Sequence, residues 1–156
     1  MRRNEIEDDF SRIAFEFFYR FSRFEFCLKE NRYLKNKRPG LSAEPGWKCF
    51  VVEHAEAYEL SMEAEALLAS PPDQQIVSDN LELAWQPISF EKCTSDLDKV
   101  VKSVKTVRNN LFHGGKHGAA GWDDPVRARL LIEMSTAVLA VLAVLGGFTD
   151  DYERFY

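Results

Sequence analysis

Little in this chain suits covalent cross-linking or a strand-rich architecture. Only three cysteines occur, Cys27, Cys49 and Cys93, odd in number, far apart and in no CxxC pair. That excludes a disulfide framework or a zinc knuckle and leaves reduced thiols of a cytosolic protein. Proline and glycine are sparse, at 6 and 8 residues. Few stretches alternate apolar with polar residues, so strand signals are weak. No secretory signal is visible, because MRRNEIEDDF turns acidic where an apolar segment would begin. The most apolar run, Leu130 to Phe148, contains Glu133 and lacks flanking Trp or Tyr anchors. A membrane span needs roughly 20 apolar residues, so this run reads as a buried core helix and no membrane contact is expected. An excess of positive charge is missing too. The net charge is −5, which excludes indiscriminate coating of nucleic acid, since phosphate contacts need a cationic surface.

What is present is a helical pattern in a chain of 156 residues, the size of one domain spanning residues 1–156. With 46% hydrophobic residues a core can form. A first helix is predicted over about residues 5–34. Eight aromatics between Phe10 and Phe26 wrap nearly its whole circumference, so neighbouring helices or a partner chain should surround it. Residues 36–46, basic and holding Pro and Gly, read as a loop. A second helix is predicted over residues 47–69, with Phe50, His54, Ala57, Leu60 and Ala64 on one stripe, ended by Pro71-Pro72. His54 reads as a core or helix-surface histidine. Residues 73–90 are ambiguous, with room for a short extra helix. A third helix runs over residues 95–112, opened by Ser95 and Asp98 as a capping-box variant and stopped by Gly114-Gly115. A fourth starts at Asp124-Pro125 and ends near Leu145 before Gly146-Gly147. Residues 148–156 form a short acidic, aromatic tail. The expected fold is all-α, an up-and-down four-helix bundle. The apolar excess on helices one and four implies a homodimer.

One residue breaks the pattern. Arg108 falls on the same stripe as Leu97, Val101, Val104 and Leu111. A guanidinium there needs an anionic partner, Glu16 or Glu25 for example, or a position at a cleft. His113 follows five residues later beside two glycines, and Asn109 lies one turn before it, placed to orient the imidazole. On a regular helix Arg108 and His113 are about 140° apart. They meet only if the helix end distorts or if two chains share the site. From Lys99 to Trp122 there is no acidic residue, while Lys99, Lys102, Lys105, Arg108 and Lys116 are basic. Lys102, Lys105, Lys116 and His117 therefore mark a positive surface around the candidate site. The three histidines, His54, His113 and His117, share no metal-ligand spacing, so neither metal nor other cofactor is expected.

The segment Arg108 to His113, RNNLFH, matches the R-x4-6-H pattern of HEPN domains, with four intervening residues and Asn after Arg. The longer VRNNLFHGGK resembles small prokaryotic HEPN proteins. FYRFSRFEFCLKE, together with the Trp47/Phe50 start of the second helix, is similar to a plasmid-associated HEPN group. The resemblance covers nearly the whole chain. It implies a metal-independent endoribonuclease, a toxin or defence effector, with two motifs facing each other across a dimer cleft. RNA supplies its own nucleophile, the ribose 2′-hydroxyl. In the site it implies, His113 moves the proton, Arg108 holds the scissile phosphate, Asn109 orients the ring or binds RNA, and Lys102, Lys105, Lys116 and His117 are candidate RNA contacts. The best-known toxin members carry a modifiable tyrosine two residues after the histidine. Gly115 stands there in this chain, so control by nucleotidyl transfer is not expected. An antitoxin protein is among the candidate partners. The alternative is a catalytically silent HEPN module that binds RNA, nucleotide or a protein.

Overall fold

The computed structural model describes residues 8–113 and 124–154, without the side chains of Asp8 and His113. The chain is mostly helical, with one small sheet. Its elements are α1 Asp8–Glu30, α2 Trp47–His54, α3 Met62–Ala69, β1 Asp73–Val77, β2 Leu83–Pro87, α4 Asp96–His113, α5 Pro125–Leu145 and α6 Thr149–Glu153. α1 lies against α4, α5 and α6. α3 packs on α4 and α5, and α2 packs on α4.

The core follows from the apolar faces of these helices. Phe17, Phe21, Phe24 and Leu28 of α1 are buried, as are Leu97, Val100, Val101, Val104 and Val107 of α4. From α5 come Leu131, Ile132, Val138, Leu139 and Leu142. Phe24 is the aromatic hub, with ring centroids 4.9 Å from Trp47, 5.4 Å from Phe50 and 5.9 Å from Phe148. Burying each such side chain contributes roughly 1.5–3 kcal/mol. Among the described helices, α5 is the one long and apolar enough to cross a membrane by length and composition. Here it carries much of the interior.

Helix ends are set by local chemistry. The Ser95 hydroxyl accepts from the Asp98 amide at 3.1 Å, and the Asp98 carboxylate accepts from the Thr94 amide at 3.0 Å. This satisfies otherwise orphaned donors at the start of α4. Asp124 caps α5 through the amides of Val126 and Arg127. At the far end Gly147, with φ of 70°, lets the Phe148 amide reach the Ala143 carbonyl at 2.8 Å.

Three expectations need correction. The helix predicted over residues 47–69 is two helices, α2 and α3. Ser61 starts α3 as its N-cap, accepting from the Ala64 amide at 3.2 Å, with Glu63 and Glu65 in the first turn. Acidic residues favour a helix N-terminus, so the chain restarts there. Residues 73–90 hold a β-hairpin instead of a short helix. β1 pairs antiparallel with β2, with Gln75 opposite Trp85, around the polar turn Ser78-Asp79-Asn80. The fold is therefore not purely α. The tail also gains structure, because α6 returns to α1 and buries Tyr152. Arg23 donates to the Asp151 carbonyl, and the Arg20 guanidinium lies 5.4 Å from the Tyr152 ring centroid.

Candidate functional site

α4 has a buried apolar face and an opposite face that carries the candidate residues. Lys105, Arg108, Asn109 and Phe112 recur at helical spacing along one side. Lys105, Asn109 and Phe112 are exposed, and Arg108 is half-buried at the edge of the apolar face. The hydrogen bonds of Ser103 to the Lys99 carbonyl and of Thr106 to the Lys102 carbonyl satisfy buried hydroxyls on the inner side.

Arg108 has no carboxylate partner among the described residues. Glu16 is taken by Arg20 at 2.7 Å, and Glu25 accepts from the Trp47 indole at 2.9 Å. The two candidate partners read from the sequence are thus engaged elsewhere. Arg108 rests on aromatic rings instead, 5.6 Å from the Phe21 centroid and 5.3 Å from that of Phe112. Lys105 repeats the arrangement, with Nζ 5.9 Å from the Trp47 centroid. A cation over a π face is held in place without losing its formal charge. A cation paired with a carboxylate is neutralised, as are Arg20 by Glu16, Lys35 by Glu44 and Lys99 by Asp96. The outer face of α4 therefore presents positive charge in an acidic protein.

The remaining candidates divide. Asn109 accepts from Arg108 at 3.1 Å through Oδ1, so it fixes the guanidinium. The sequence had suggested it for orienting an imidazole. Lys102 donates to the Ser89 carbonyl at 2.5 Å, which ties α4 to the segment after the hairpin. Lys105 is the better placed of the two lysines for an external anion. α4 remains helical through His113, so the backbone keeps residues 108 and 113 about 140° apart around its axis. The His113 side chain lies outside the described residues, as do Lys116, His117 and Gly115. His54 is accounted for structurally. Its Nε2 is 3.0 Å from the Tyr33 hydroxyl, and its ring centroid is 4.5 Å from that of Phe50.

Two contributions were not foreseen. Asn110 is buried and donates to the Asp73 carbonyl at 2.7 Å, which locks the hairpin to α4. The aromatic bed of Phe18, Phe21, Trp47 and Phe112 is assembled from three helices. Only Phe112 lies within the motif, so no local pattern could reveal the bed. Among the described residues no group of three His, Cys, Asp or Glu could hold a metal ion. Compared with protein-family models, curated proteins and solved structures, the chain finds no match in any of the three.

Proposed function

We propose that this protein is a HEPN-type, metal-independent endoribonuclease. The observation that carries the reading is Arg108, a guanidinium held on the Phe21 and Phe112 rings with no carboxylate partner among the described residues, five positions before His113. A cation fixed in this way is suited to a phosphodiester, which it can bind through a two-pronged hydrogen-bond pair and stabilise as charge develops. His113 takes the 2′-hydroxyl proton or supplies one to the departing 5′-oxygen. The 2′-oxygen forms its bond to phosphorus as the bond to the 5′-oxygen breaks, leaving a 2′,3′-cyclic phosphate and a 5′-hydroxyl. No oxidant, reductant or cofactor enters this balance.

The 140° separation on α4 favours a site shared between two copies, in which Arg108 of one protomer faces the motif of the other. In this reading α1, α4, α5 and the interrupted α2/α3 pair form an up-and-down four-helix bundle of HEPN type. The protein works in the cytoplasm as a toxin or defence effector, with steric masking as the mode of any antitoxin. The test is incubation with RNA in EDTA, followed by mass analysis of the fragment ends. Cleavage should survive chelation and give cyclic phosphate ends. Cleavage abolished by EDTA and restored by magnesium would overturn the mechanism. A second reading, a silent RNA- or nucleotide-binding module, is favoured by the net charge of −5. It predicts binding without cleavage in the same tubes.

A further inference from the structure

The outer face of α4 ends in an exposed aromatic pair. Phe112 is 47% exposed and Phe18 41%, with ring centroids 5.0 Å apart at an interplanar angle of 44°. Phe15, on the same side of α1, is 67% exposed. A single exposed ring is ordinary. Here two rings touch each other in solvent, and the Arg108 guanidinium lies 5.3 Å from the Phe112 centroid.

We propose that Phe112, braced by Phe18, is a base-stacking platform, on which one unpaired nucleotide lays its base while Arg108 holds the adjoining phosphate. The proposal rests on the ribonuclease reading above and specifies its substrate. Every nucleobase has a π face, so a phenyl ring accepts any of them without reading hydrogen bonds. In a duplex both faces of a base are covered by its neighbours, so only a single strand, a bulge or a splayed loop nucleotide can dock. The distance from guanidinium to ring is of the order of that between phosphate and base within one nucleotide. Charge complementarity selects nucleic acid over an apolar protein surface as the occupant. Arg108 borders the pair and Lys105 lies about two turns before Phe112 on the same face of α4, neither with a carboxylate partner among the described residues, and residues 99–122 contain no acid.

The experiment is equilibrium binding of the full chain to 2′-fluoro RNA, which lacks the nucleophilic hydroxyl. Three probes are compared: a single strand, its duplex, and an abasic strand of equal charge. Wild type should bind the single strand most tightly. Phe112→Ala should weaken that binding roughly five- to a hundredfold, as loss of one base–aromatic stack does. Abasic binding should fall less than single-strand binding and the salt dependence should hardly change, because Arg108 keeps its charge and its seat on Phe21. Phe112→Trp should restore affinity and Phe112→Leu should not. Unchanged single-strand affinity in folded Phe112→Ala, with Arg108→Ala weakened, would overturn the platform and leave the ribonuclease reading standing. Failure of wild type to bind any RNA would overturn both. If Phe112→Ala halves the particle mass and loses single-strand and abasic binding equally, the pair is a contact between copies and the platform is overturned.

Discussion

A cation seated on aromatic rings stays available to an outside anion, which separates Arg108 and Lys105 from the carboxylate-paired cations of this chain. The same scale supplies a pH prediction. Burial, helped by the Glu53 carboxylate, pushes the Tyr33 phenol up to about 12, and burial pushes Tyr58 up to about 12 as well. A tyrosine in the unfolded chain ionises near 10. The folded form therefore keeps these protons while the unfolded form loses them, and stability present below about pH 10 is lost as pH rises toward 12. Chemical denaturation across that range should show a falling midpoint, and Tyr33→Phe should flatten the fall. Arg108 was legible as an oddity because a guanidinium on an apolar stripe demands an explanation. Its real partners were not, because Phe21 lies on a helix distant in sequence.

At the scale of elements, the starts of α4 and α5 were readable because caps act within four residues. The break between α2 and α3 was written in Ser61, Glu63 and Glu65, but a continuous apolar stripe masked it. The hairpin was hidden because its strands are five residues each, with little alternation. The hairpin also gives a control for the site. Asn110 neighbours the proposed chemistry in sequence but ties α4 to Asp73. Asn110→Ala should cost about 1–3 kcal/mol by removing the hydrogen bond of a buried side chain to a partly buried carbonyl. Thermal melting should show this loss, while cleavage per folded molecule stays near wild type. Loss of cleavage in a fully stable Asn110→Ala protein would contradict the division of roles.

For the whole molecule, the aromatic excess of α1 was legible, and Phe15 and Phe18 remain exposed in one chain. How α1 and α4 come together was not, because tertiary contact sets it. A symmetric dimer would place the same surface of each copy against the other. Light scattering at micromolar concentration should give about twice the 18.0 kDa chain mass. A clean monomer that still cleaves RNA would remove the shared site. The most direct measurement is RNA cleavage in EDTA by wild type, Arg108→Ala and His113→Ala, each shown by melting to be folded. Loss of a general acid/base costs about 10²–10⁴-fold and loss of a fixed charge stabiliser about 10²–10³-fold. Each variant should therefore fall at least about a hundredfold below wild type. Undiminished cleavage by a folded His113→Ala protein would contradict the account.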